Sequence, residues 1–179
     1  MPLGEPWTAA DKGLSPRHFH VFLSSPGDVA EERRLVEEVI QTRLAKDAFL
    51  RGRVTFDVIS WDDPDAPTPM PANLSPQDAV IRFGRRPADC EIVIVILWSR
   101  LGTHLNTSKF TKPNGEPYLS GTEWEYEDAA NADPPPDILL YRRTETPRIE
   151  INDPELADKQ EQYALVNACL LYTSPSPRD

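Results

Sequence analysis

Cysteine is scarce in this sequence: Cys90 and Cys169 are the only two among 179 residues. Two thiols make no disulfide framework, and a chain of this length can bury a proper core without one. Positive charge is in deficit, with 19 Lys and Arg against 29 Asp and Glu and a net charge of −10. A protein that tracks phosphates needs a basic face, so nucleic acid is not an expected partner. No apolar run approaches the length of a membrane span, and the first residues lack the apolar stretch of a signal peptide. The phosphate-cradling pattern G-x-x-x-x-G-K-[ST] is missing as well, so these residues form no P-loop. There is no internal repeat. These absences lead to the expectation of one cytoplasmic domain, bound to neither membrane nor nucleic acid.

What is present is most concentrated in His20–Arg34, HVFLSSPGDVAEERR. Val21, Phe22 and Leu23 read as a buried strand, and Ser24-Ser25-Pro26-Gly27 as a turn without bulky side chains. Asp28 followed by Glu31 has the spacing of a helix N-cap with a reciprocal acid. In an open α/β sheet, a turn of this kind lies at the carboxyl end of a strand, where ligands bind.

Strand and helix signals alternate from there. Phe19–Leu23 predicts a first strand, and Val29–Leu44 a helix with Val36, Val39, Ile40 and Leu44 at helical spacing. Val54–Trp61 reads as a second strand, followed by a proline-rich stretch that excludes regular structure. Ser75-Pro76-Gln77-Asp78 has the signature of a helix start, and Gly84 of its end. Glu91–Trp98, EIVIVILW, reads as a strand buried on both faces, the habit of a central parallel strand. A helix is expected over Gly121–Ala132, a strand over Asp137–Tyr141, and a last helix capped at Asp153-Pro154 and running through Leu156, Tyr163 and Val166.

This alternation predicts an α/β fold: a doubly wound, mostly parallel, three-layer sheet of the flavodoxin-like or TIR-like kind. Strand order 2-1-3-4 would put the topological switch between the first and third strands. Ser24–Asp28 and Ser99–Thr103 then wall a crevice, with Glu123 facing it from the first turn of the next helix. Met1–Pro16 is aperiodic and reads as a flexible leader (1–16) before the domain proper (17–168). Cys169–Asp179, CLLYTSPSPRD, resembles a translated sequencing adapter. The native sequence is accordingly expected to end near Ala168, with Cys90 as its single cysteine.

Taken in order, several segments resemble a TIR-like domain family found at the N-termini of STAND-type NTPases and related signalling and defence proteins. They are VFLSSPGDVAEERR, Trp61 with Pro76-Gln77, Ile92–Trp98 running into Arg100-Leu101-Gly102-Thr103, Ser120–Glu127, and Ile138–Arg142. The resemblance covers about His18 to Ala168. It implies a five-stranded parallel sheet, self-association, NTPase or sensor modules further along the same polypeptide, and cleavage of NAD at the nicotinamide–ribose bond. The family's glutamate lies on the helix after the third strand. Counting forward from Trp124 leads to Glu127 or Asp128, whereas position at the crevice leads to Glu123.

Breaking an N-glycosidic bond builds positive charge on the ribose, which a nearby carboxylate stabilises or captures. Glu123 and Glu127 are four apart and share a helix face, so both can line one site; the alternative is an acidic first turn on a solvated face. Ser24, Ser25 and the amides of Gly27 and Asp28 suit a phosphate or ribose hydroxyl, or else form a plain capped turn. Trp61 and Trp98 end strands at the ligand edge and either stack on a base or pack in the core. Arg100 either balances a diphosphate or is solvated. Arg33 is given a structural role. No resident cofactor is expected, NAD entering only as substrate. His18 and His20 project to one side of the first strand, but no third ligand stands nearby in sequence, so no metal site is expected. Cys90 has no local base and is not read as a nucleophile.

Overall fold

Apolar β-branched runs separated by polar turns fold here into parallel strands, with α-helices, among the described residues, in two of the connections between them. The computed structural model describes residues 15–60, 85–102, 105, 110–148 and 152–173, with side chains as far as Ala168. The expected helix at Ser75–Gly84, Trp61, Thr103 and His104 lie outside the described residues. The strands are β1 (Arg17–Ser24), β2 (Val54–Ile59), β3 (Ile92–Leu97) and β4 (Asp137–Arg142). The helices are α1 (Ala30–Glu38), α2 (Gly121–Ala130) and α3 (Leu156–Thr173). All strand pairs are parallel, and the order is β2-β1-β3-β4. This is the flavodoxin-like order expected from the sequence, with the switch point between β1 and β3.

Alternation along the two central strands divides the core into two layers. Val21, Leu23, Ile94 and Ile96 pack with Val29 and Ile40 on the α1 face. Phe22, Val93, Val95 and Leu97 pack with Ala129 of α2 and Val166 of α3 on the other. β3 is therefore covered on both sides, as its unbroken apolar run requires. Full burial of side chains such as Val93 and Val95 contributes roughly 1.5–3 kcal/mol each. β4 differs: Leu139 and Tyr141 are exposed, with no described element covering the α1 face of the sheet at that edge.

Two local expectations are corrected. The helix expected over Val29–Leu44 is three successive windings: a 3-10 turn at Gly27–Val29, then α1, then a π-helical segment at Val39–Leu44. Asp28 is not an N-cap, since neither winding has a side-chain cap there. Its Oδ2 instead accepts hydrogen bonds from the Ser99 backbone N–H at 3.0 Å and hydroxyl at 2.8 Å, tying the β1 loop to the β3 loop.

Candidate functional site

The carboxyl ends of β1 and β3 carry a buried polar network. Ser24 ends β1 pointing toward α2, and its Oγ donates to Glu125 Oε2 at 2.5 Å. Ser24 is fully buried, Glu125 is 5% exposed and Arg33 4%. From α1, Arg33 Nε donates to Ser25 Oγ at 2.8 Å, and a terminal nitrogen donates to the Pro26 carbonyl at 3.1 Å. Burial pulls the Arg33 guanidinium below its ordinary range, and the surrounding Glu37, Glu125 and Asp28 carboxylates oppose that shift. The cation thus holds the serine turn and balances the acids around it, the structural role the sequence suggested.

The other wall is fixed with equal economy. Gly102 has φ +123°, and a Cβ there would meet Thr122 Oγ1 at 3.0 Å, so only glycine fits this approach to α2. Ser120 caps α2 by accepting from the Glu123 backbone N–H, and its own hydroxyl donates to the Leu101 carbonyl at 2.9 Å. The Leu101 N–H donates to Gln162 Oε1 of α3 at 3.0 Å. On the facing wall, Asp28 Oδ1 is buried and has no hydrogen-bond partner among the described residues. Beside it the loop is open, since a Cβ on Gly27 would touch nothing within 4 Å.

The candidate acids divide between two places. Glu123 and Glu127 do share a face, but Lys112 occupies it, with Nζ 2.7 Å from Glu123 and 2.9 Å from Glu127. Glu123 also accepts from the Leu119 N–H at 2.6 Å, completing a capping arrangement. Burial works against the Lys112 ammonium, yet the hydrogen bonds to the two glutamates prevail and hold it above the usual lysine range. Glu125, between them, is the acid that α2 turns toward β1. Thr122, Glu125 and Ala129 form the buried stripe of α2. Small residues at that spacing mark the face pressed on the sheet, and this was the signal in the sequence that points to Glu125.

The remaining candidates scatter. Trp98 lies on the α1 face, with its indole N–H donating to the Glu145 carbonyl at 2.6 Å and the Arg143 guanidinium 4.0 Å above its ring. It packs against the core there, as the second of its two readings had it. Arg100 is half-buried just beyond Ser99. Cys90 is buried, and desolvation pushes its thiol up to about 12, which leaves it protonated at neutral pH.

No family model, curated protein or solved structure matches the chain. No helix among the described residues is long and apolar enough to cross a membrane.

Proposed function

We propose that this chain is a TIR-like effector or signalling domain that cleaves the N-glycosidic bond of NAD or a related nucleotide, with Glu125 as its carboxylate. The observation that carries the reading is the Ser24–Glu125 hydrogen bond at the carboxyl edge of β1, beside the switch point. The resemblance of the sequence to TIR-like domains supplies the reaction class. Glu123 and Glu127, the acids that resemblance and position first suggested, share the single charge of Lys112 between them.

The chemistry asked of Glu125 is electrostatic. As the C1′–N bond breaks, its electron pair passes to the nicotinamide ring and positive charge develops on the ribose. A desolvated carboxylate near C1′ stabilises that charge, and water then adds to C1′ with loss of a proton. Ser24 orients the carboxylate through its hydroxyl. Asp28 Oδ1, buried and without a hydrogen-bond partner among the described residues, is an acceptor for a ribose hydroxyl. Arg100, in the facing loop after β3, is the cation offered to the diphosphate. The test is release of nicotinamide from NAD by the purified chain at high protein concentration. Release that Glu125→Gln abolishes supports the reading; release that survives it removes Glu125 from the reaction.

A second reading, a non-enzymatic homotypic interaction module, is favoured by one feature. An open apolar groove of about 710 Å³ runs between α1 and the exposed face of β4, lined by Leu35, Val36, Ile94, Ile96, Leu139 and Tyr141. Self-association measured by sedimentation that Leu139→Asp disrupts, with no nicotinamide release at any concentration, selects this reading over the first.

A further inference from the structure

We infer that the amino end of β1 carries a divalent transition-metal site of the zinc class, built from His18, His20 and Asp57. The sequence offered only the two histidines, and the missing ligand comes from the neighbouring strand. His18 and His20 alternate onto one face of β1, and the parallel register sets Asp57 of β2 directly opposite His20. One ligand atom from each of the three lies within 4.8 Å of the others. A four-coordinate ion with bonds of about 2.0–2.1 Å needs its ligands about 3.4 Å apart. Closing the difference takes side-chain rotation, which the exposed His18 and Asp57 can make without moving the strands.

The surroundings are those of a metal centre. His20 Nδ1 lies 3.0 Å from Glu91 Oε2, and His18 Nδ1 lies 2.8 Å from Thr55 Oγ1. Each ring has a hydrogen-bond partner at Nδ1, which leaves Nε2 available to the ion; a carboxylate or hydroxyl behind a ligating histidine is the usual orienting partner. Glu91 is itself fixed, accepting the His20 backbone N–H at 2.7 Å. Two imidazoles and one carboxylate favour zinc, cobalt or nickel over magnesium or calcium, and water completes the coordination. The site is about 13–20 Å along β1 from Ser24, His20 and His18 being four and six residues away at roughly 3.3 Å each, so it is separate from the proposed nucleotide site. An ion there cross-links β1 to β2 and, through Glu91, to the residue preceding β3.

The experiment is calorimetric titration of the full chain with zinc near neutral pH, with magnesium as the comparison ion. One zinc per chain is expected, with no magnesium uptake and a melting temperature raised by roughly 5–10 °C at a hundredfold excess over Kd. His20→Gln and Asp57→Asn should each weaken binding at least tenfold, and Glu91→Gln about tenfold. Circular dichroism separates lost binding from lost folding. Cobalt substitution adds an independent check, giving intense visible bands without the near-ultraviolet band of thiolate ligation. No zinc uptake by the wild-type chain, full uptake by the folded His18→Gln/His20→Gln double variant, or a thiolate band would overturn the site.

Discussion

The two ends of β1 hold polar clusters of opposite character. At the carboxyl end, Ser24, Ser25, Arg33 and Glu125 are nearly inaccessible and joined by hydrogen bonds across three elements. At the amino end, His18 and Asp57 are exposed, and each histidine is held by one neighbour. The same alternation of side chains builds both, so burial sets the difference. A polar group taken out of water must be answered by a partner, and removing that partner is costly; a group left in water can wait for a ligand. Stability should therefore respond at the carboxyl end and binding at the amino end.

The largest effect is expected at Arg33. Arg33→Met keeps most of the volume but strands the Glu125 and Asp28 carboxylates, and should lower unfolding free energy by about 3–5 kcal/mol in urea titration. A loss below about 1 kcal/mol would mean that water reaches the carboxyl end and the contrast is overstated. Ser24→Ala comes next. It removes the donor to Glu125 Oε2 and should cost about 1–3 kcal/mol by the same measurement.

The smallest effect belongs to Glu91 at the amino end, and it depends on pH. Hydrogen bonding from the His20 backbone N–H, chiefly, holds the Glu91 carboxyl below its ordinary value of 4.5. A depressed acid stabilises the fold above its unfolded pKa, and that contribution disappears as pH falls through the folded value. Wild type should accordingly exceed Glu91→Gln in urea midpoint at neutral pH, with the gap closing as pH falls through the depressed Glu91 value. A gap that widens on acidification would contradict the assignment.

How much of this was legible beforehand divides along the same line of burial. The alternation of elements and the central position of β3 followed from apolar runs and turn residues, which are local signals, whereas the facing of the Ser24–Asp28 and Ser99 loops rested on assuming the flavodoxin-like strand order. The identity of the inward acid was not local. Glu123, Glu125 and Glu127 are equivalent as composition, and only the small residues Thr122 and Ala129 on the same stripe single out Glu125. Lys112, which claims the other two, lies outside α2 and has no periodic relation to it. Asp28 misled for a related reason. Its spacing to Glu31 fits a cap, but the Ser99 loop, brought near by the sheet, competes for the carboxylate and takes it. The histidine pair was visible on β1, while Asp57 becomes a neighbour only through the register with β2.

The most direct measurement compares nicotinamide release by the wild-type chain with that of Glu123→Gln, Glu125→Gln and Glu127→Gln, each first shown to be folded. The account predicts a loss of at least about a hundredfold for Glu125→Gln, the scale of removing a charge-stabilising group, and changes within about threefold for the other two. An active Glu125→Gln beside a dead Glu123→Gln or Glu127→Gln would contradict it. So would a folded, self-associated wild-type chain that releases no nicotinamide at all.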